Sequence, residues 1–171
     1  MKLLFMIVLV TTVLISGCTE KNVGDNINTP VEPKENINTK FESIDIGNSN
    51  NIENINGSKI SVINNISQLQ DFANLNKDIV DKLKQVDYDR RTVIGIFRGK
   101  MQSSGFGITV KEIKSKNDKM IIIVNLTDPS GEATQPIISY PYHIITIPKE
   151  NMKDILEVYT DNNEKLASIN E

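Results

Sequence analysis

His143 is the only imidazole in this 171-residue chain, and Cys18 is its only thiol. Ser103 and Ser104, in a glycine-flanked stretch, are the hydroxyls a catalytic reading would pair with that histidine. A serine nucleophile needs a base, a third group that orients the base, and an oxyanion hole. No such set is recognisable here, and His143 falls inside an apolar run, so it reads as a partly buried structural residue. One His and one Cys do not make a zinc site. No strand, glycine-rich loop and helix follow one another as a phosphate cradle. No pair of carboxylates singles itself out for acid–base work on a glycoside. The expectation is a protein that is not an enzyme, with no cofactor and no metal.

The residues that could still do something lie in or near 92–110, the stretch around which the chain is organised. Residues 93–97 are continuously apolar, as in a strand covered on both faces. Phe106, Ile108 and Val110 then share one face by the strand period of two. Between the two runs lie Ser104, Gly105 and Gly107, where a missing Cβ allows close approach to the backbone or a bulge. Ser104, Gly105, Phe106 and Gly107, with Tyr142 opposite, form a candidate partner-binding patch. The plainer alternative puts Phe106 and Tyr142 in the core and gives the glycines a backbone role.

The flanking segments read as the frame of that stretch. Residues 59–63 alternate as a first strand. Ser67 and Gln70 have capping-box spacing, and Leu69, Phe72 and Ala73 share a helical stripe. Asn76 caps a second turn, in which Ile79, Val80, Leu83 and Val86 recur at helical spacing. Residues 67–85 are therefore one kinked helix or two short ones. The charged run 87–91 reads as a solvated turn with local ion pairs. Ile113 is out of phase with Val110, which predicts a bulge near Lys111 and Glu112. Residues 116–118 are a turn, and 119–127 a strand apolar on both faces and therefore central. Residues 128–136 are a loop. Residues 137–148 form a strand that Pro141 breaks or places at an edge, and 155–169 a closing hairpin. The fold class expected is α+β. It is mostly antiparallel β, sandwich- or barrel-like, with one helical insertion after the first strand.

Three segments follow. Residues 1–17 read as a signal peptide, because Lys2 precedes an apolar run of secretory length. Ile15, Ser16, Gly17 and Cys18 resemble a bacterial lipobox, in which the cysteine is lipidated after cleavage. Residues 18–57 read as the lipidated Cys18 and a disordered tether, rich in Asn, Glu, Asp, Thr and Ser and without sustained periodicity. Such a spacer has a span of roughly 35 Å. A short docked strand around Phe41, Ile44 and Ile46 is the alternative there. Residues 58–171 hold the folded domain. The expected localisation is an exported lipoprotein, membrane-anchored on the cell surface or in the envelope. The expected anchor is acyl chains that contribute roughly 0.8 kcal/mol per buried methylene. A net charge of −3 argues against nucleic acid as a partner, since that needs a basic surface to release counterions.

Residues 97–108, Phe-Arg-Gly-Lys-Met-Gln-Ser-Ser-Gly-Phe-Gly-Ile, precede by one hairpin residues 139–149, Ser-Tyr-Pro-Tyr-His-Ile-Ile-Thr-Ile-Pro-Lys. Together they resemble the PrcB C-terminal domain family, over about residues 58–150. In that family a loop, typically Thr-Gly-Gly-Tyr, opens a strand and a later Pro-Tyr leads into another. Here the loop reads Ser-Ser-Gly-Phe-Gly, and Phe106 lacks the tyrosine hydroxyl. The resemblance implies a noncatalytic lipoprotein that binds, assembles or stabilises a secreted protease complex or another envelope protein. Two further readings stand beside it: a protease inhibitor that uses its Gly-rich loops, and an envelope scaffold unrelated to proteases.

Overall fold

A computed structural model describes residues 37–170, apart from 51, 53, 54, 73, 74 and 131–134. The expected signal peptide, Cys18 and the first part of the expected tether lie outside the described residues. Nine strands are described: β1 (Ile37–Asn38), β2 (Glu42–Ser49), β3 (Lys59–Ile63), β4 (Arg91–Phe97), β5 (Gly107–Lys116), β6 (Lys119–Thr127), β7 (Tyr140–Pro148), β8 (Ile155–Thr160) and β9 (Lys165–Asn170). A 3₁₀ helix (Ile66–Phe72) and α1 (Lys77–Lys84) follow β3. The strands form a five-stranded sheet, β1-β5-β6-β8-β9, and a four-stranded sheet, β2-β7-β4-β3. They stack as a sandwich, with no closed barrel, so the expected α+β, mostly antiparallel class holds.

Side-chain alternation builds two cores. Ile94, Ile96, Ile145 and Ile147 point from the four-stranded sheet toward Ile108, Val110, Met120, Ile122, Val124, Leu156 and Val158 of the five-stranded one. Val93, Phe97, Tyr142 and Ile144 point the other way, onto Leu69, Phe72, Ile79 and Leu83 of the helical layer. This double burial explains the unbroken apolarity of 93–97: β4 lies inside its sheet and is covered on both faces. Burying each such aliphatic side chain contributes roughly 1.5–3 kcal/mol.

The local signals worked where backbone chemistry is short-range. Asn76 caps α1 by accepting from the Asp78 N–H at 3.1 Å. The β5–β6 turn closes through Asn117, whose φ of 56° suits asparagine. The bulge falls between Val110 and Glu112, as the phase slip of Ile113 predicts.

Five expectations change. First, the folded part begins before residue 58: β1 pairs with β5, and β2 pairs with β7 along its length. The docked strand around Phe41, Ile44 and Ile46 is the correct reading of 42–49. Its sparse isoleucines conceal it, because an edge strand buries little. Second, the helical insertion follows the third strand in chain order, and its first part is a 3₁₀ helix. Asn65 and Gln68 supply the cap there, with Gln68 Oε1 accepting from the Asn64 N–H at 2.7 Å and Asn65 Oδ1 accepting from the Ser67 N–H at 3.0 Å. Third, β6 and β8 run parallel, because β7 crosses to the other sheet between them. Fourth, Pro141 lies in an interior strand. Its carbonyl accepts from the Arg98 N–H at 2.9 Å. Proline cannot return that bond, and the Ser58 hydroxyl donates to the Arg98 carbonyl instead, at 3.0 Å. Fifth, β7 begins at Tyr140; Ile137 and Ile138 precede it as an exposed segment.

Candidate functional site

Arg98 fixes the geometry of the glycine-rich end. It leaves β4 with its side chain only 12% exposed. One Nη donates to the Thr127 carbonyl at 2.7 Å and the Gly107 carbonyl at 3.3 Å. The other meets the Asp128 carboxylate at 2.5 Å. The guanidinium lies 5.0 Å from the Phe106 ring centroid, within cation–π range. A planar fork with several donors suits this task, where a lysine would reach fewer acceptors. Arg98→Ala is therefore expected to cost about 1.5–3 kcal/mol, because charged donors to two main-chain carbonyls are lost. Asp128→Asn should cost far less, since its carboxylate is 69% exposed. Urea denaturation of both variants checks the ordering.

Beyond Arg98, residues 101–104 run against 135–139. Met101 and Ser139 exchange both backbone hydrogen bonds, at 2.8 and 3.0 Å. The Ser104 N–H donates to the Gln135 carbonyl at 3.0 Å, and Ser104 Oγ accepts from the Gln135 N–H at 3.0 Å. Ser139 Oγ donates to the Ser103 carbonyl. Gly105 has a φ of 92°, and a Cβ there would lie 2.9 Å from Pro129 Cβ, so its glycine serves both conformation and close approach. Gly107 has no such need; an added Cβ would meet Thr127 at an ordinary 3.4 Å.

These bonds hold out two adjacent isoleucines, Ile137 and Ile138, at 41% and 47% exposure. Sequence reasoning placed them in a strand. The usable signal was their adjacency after Pro136 without alternation, which a one-sided strand does not produce. Of the expected patch, Ser104, Gly105, Phe106 and Gly107 come together here, with the Phe106 carbonyl accepting from Asn48 Nδ2 at 3.1 Å. Tyr142 does not join them. It is 4% exposed, faces the helical layer, and donates its hydroxyl to Asp45 at 2.9 Å. Burial and that bond raise its phenol above the usual range.

His143 stands apart as well. It is 1% exposed, between the sheets. Its Nδ1 accepts from the Val110 N–H at 2.8 Å, at the β5 bulge, and its Nε2 lies 2.9 Å from Ser43 Oγ. A Ser–His contact of that length invites comparison with a nucleophile and base. The bonding runs the wrong way. A backbone N–H occupies the Nδ1 lone pair, so the proton of the neutral ring is on Nε2 and is donated to Ser43. A general base would present an unprotonated Nε2 to the serine. Burial pushes this imidazole down to about 4, with Asp45 opposing weakly, which keeps it neutral and joins the sheets. Ser103 and Ser104 are engaged with 135–139 instead of with His143.

Fold and site together define a two-sheet sandwich with a helical cover and a clamped loop end, in which the one histidine is a structural bridge. The family model described as PrcB C-terminal matches residues 92–148, from β4 to the end of β7. The match takes in the first motif on which the resemblance rests and all but the last residue of the second, and leaves out β3 and the helical layer. No curated protein and no solved structure matches the chain.

Proposed function

We propose that this chain is a noncatalytic lipoprotein, anchored through Cys18, whose folded domain binds a secreted protease or another envelope protein and holds its complex together. The observation that carries this reading is the clamped projection of Ile137 and Ile138 beside the Gly105–Phe106 loop. Exposed aliphatic pairs are costly to display in water and gain when a partner covers them. The segment lies inside the family match, and a subunit of a protease complex is what that resemblance implies.

The test is capture from the membrane fraction by tagged full-length protein, compared with Cys18→Ser. The wild type should fractionate with membrane and bring down a secreted protease. Cys18→Ser should leave the membrane fraction. Recovery of the wild type in the soluble fraction would overturn the anchor, and recovery without any secreted protein would overturn the binding role.

A further inference from the structure

Asn56 and Gly57 stand in a non-regular stretch one residue before β3, and both are exposed. A Cβ built on Gly57 would meet nothing within 4 Å. An exposed amide followed by an open, unbranched backbone favours succinimide chemistry. We infer that Asn56–Gly57 is a site of spontaneous deamidation in the folded protein.

The step balances with water alone. The Gly57 backbone nitrogen attacks Asn56 Cγ and gives up its proton, and the side-chain nitrogen leaves as ammonia. Water then opens the cyclic imide at either carbonyl. Opening at one side gives aspartate; opening at the other gives isoaspartate, with an extra methylene in the main chain. Either product adds one negative charge. Glycine favours the attack because no Cβ hinders its nitrogen. Asn48–Ser49 supplies an internal comparison: Asn48 lies in β2, and its amide donates to the Phe106 carbonyl.

The position gives the change a structural consequence. The Gly57 main chain lies against Gly99, where a Cβ would come within 2.8 Å of the Gly57 carbonyl carbon. Ser58, the next residue, supplies the hydroxyl that satisfies the Arg98 carbonyl beside Pro141. An isoaspartate link displaces both contacts, at the root of the loop that begins with Arg98.

The experiment is ageing of the full chain in neutral buffer at body temperature, followed by peptide mass mapping. The expected result is a gain of one dalton in the peptide holding Asn56, with none in the peptide holding Asn48. In Gly57→Ala, which the open space accommodates, that gain should be lost while the unfolding curve is unchanged. Conversion at Asn56 only after unfolding in urea would overturn the inference, as would full conversion in Gly57→Ala.

Discussion

Replacing His143 with leucine is expected to cost about 2–3 kcal/mol of folding stability at neutral pH, close to the penalty for one buried unsatisfied donor plus a lost hydrogen bond. Leucine fills much of the space but leaves the Val110 N–H, now held at 2.8 Å by Nδ1, without an acceptor. Ser43 is exposed and can turn to water, so its side contributes less. The same substitution should change the pH dependence. An unfolded histidine binds its proton as pH falls through about 6.5, whereas the folded one waits until about 4. Over that window the unfolded state holds more protons, so wild-type stability declines as pH falls, by about 3 kcal/mol in all. Above 6.5 and below 4 this contribution is flat. Glu157, held down to about 2 by hydrogen bonds from Lys119 and Lys165, loses its contribution only below the ordinary carboxylate range, so it leaves the upper part of the window to His143. Urea midpoints at pH 7 and pH 5 should diverge in the wild type and converge in His143→Leu. An equal decline in both proteins would remove the histidine from this role.

Gly95→Ala should be comparably damaging for the opposite reason. Gly95 sits in the middle of β4, between Ser61 and Ile144 in register. An added Cβ would lie 2.5 Å from Phe72 Cζ, 2.7 Å from Phe72 Cε1 and 3.1 Å from Phe97 Cε2. Both rings are buried and packed on each other, with centroids 5.7 Å apart, so neither swings away cheaply. Overpacking of this kind costs roughly 1–3 kcal/mol, and the upper end is expected here. Phe72→Leu makes room at the same point. The two changes together should therefore cost less than their separate effects added. Strict additivity by thermal or urea unfolding would show that the ring does not press on this glycine.

The parts legible in the sequence were those that short-range physics encodes. Double burial of β4, the Asn76 cap, the Asn117 turn and the β5 bulge each leave a mark within a few residues. β2 left little mark, since Ile46 is exposed and only Ile44 packs inward. Its place depends on β7, about 100 residues away. Tyr142 takes the plainer of its two readings, in the core, and alternation alone could not choose between them, since it gives a face without saying which layer covers it. Arg98 was hidden for a similar reason: its acceptors, Thr127 and Gly107, converge only when the β5–β6 hairpin closes. His143 was read as structural from its strand context, and the structure adds full burial and the direction of its hydrogen bonds.

The proposed docking surface is the clamped loop end, with Ile137 and Ile138 exposed on it. The most direct measurement is capture of secreted protein by the full-length wild type beside a variant carrying Ile137→Asp and Ile138→Asp. Both side chains are exposed, so the variant should keep the wild-type urea midpoint, within the ~0.5 kcal/mol typical of surface changes. Capture should then be lost with the fold intact. Undiminished capture by the folded variant would contradict the claim and move the binding surface elsewhere on the domain.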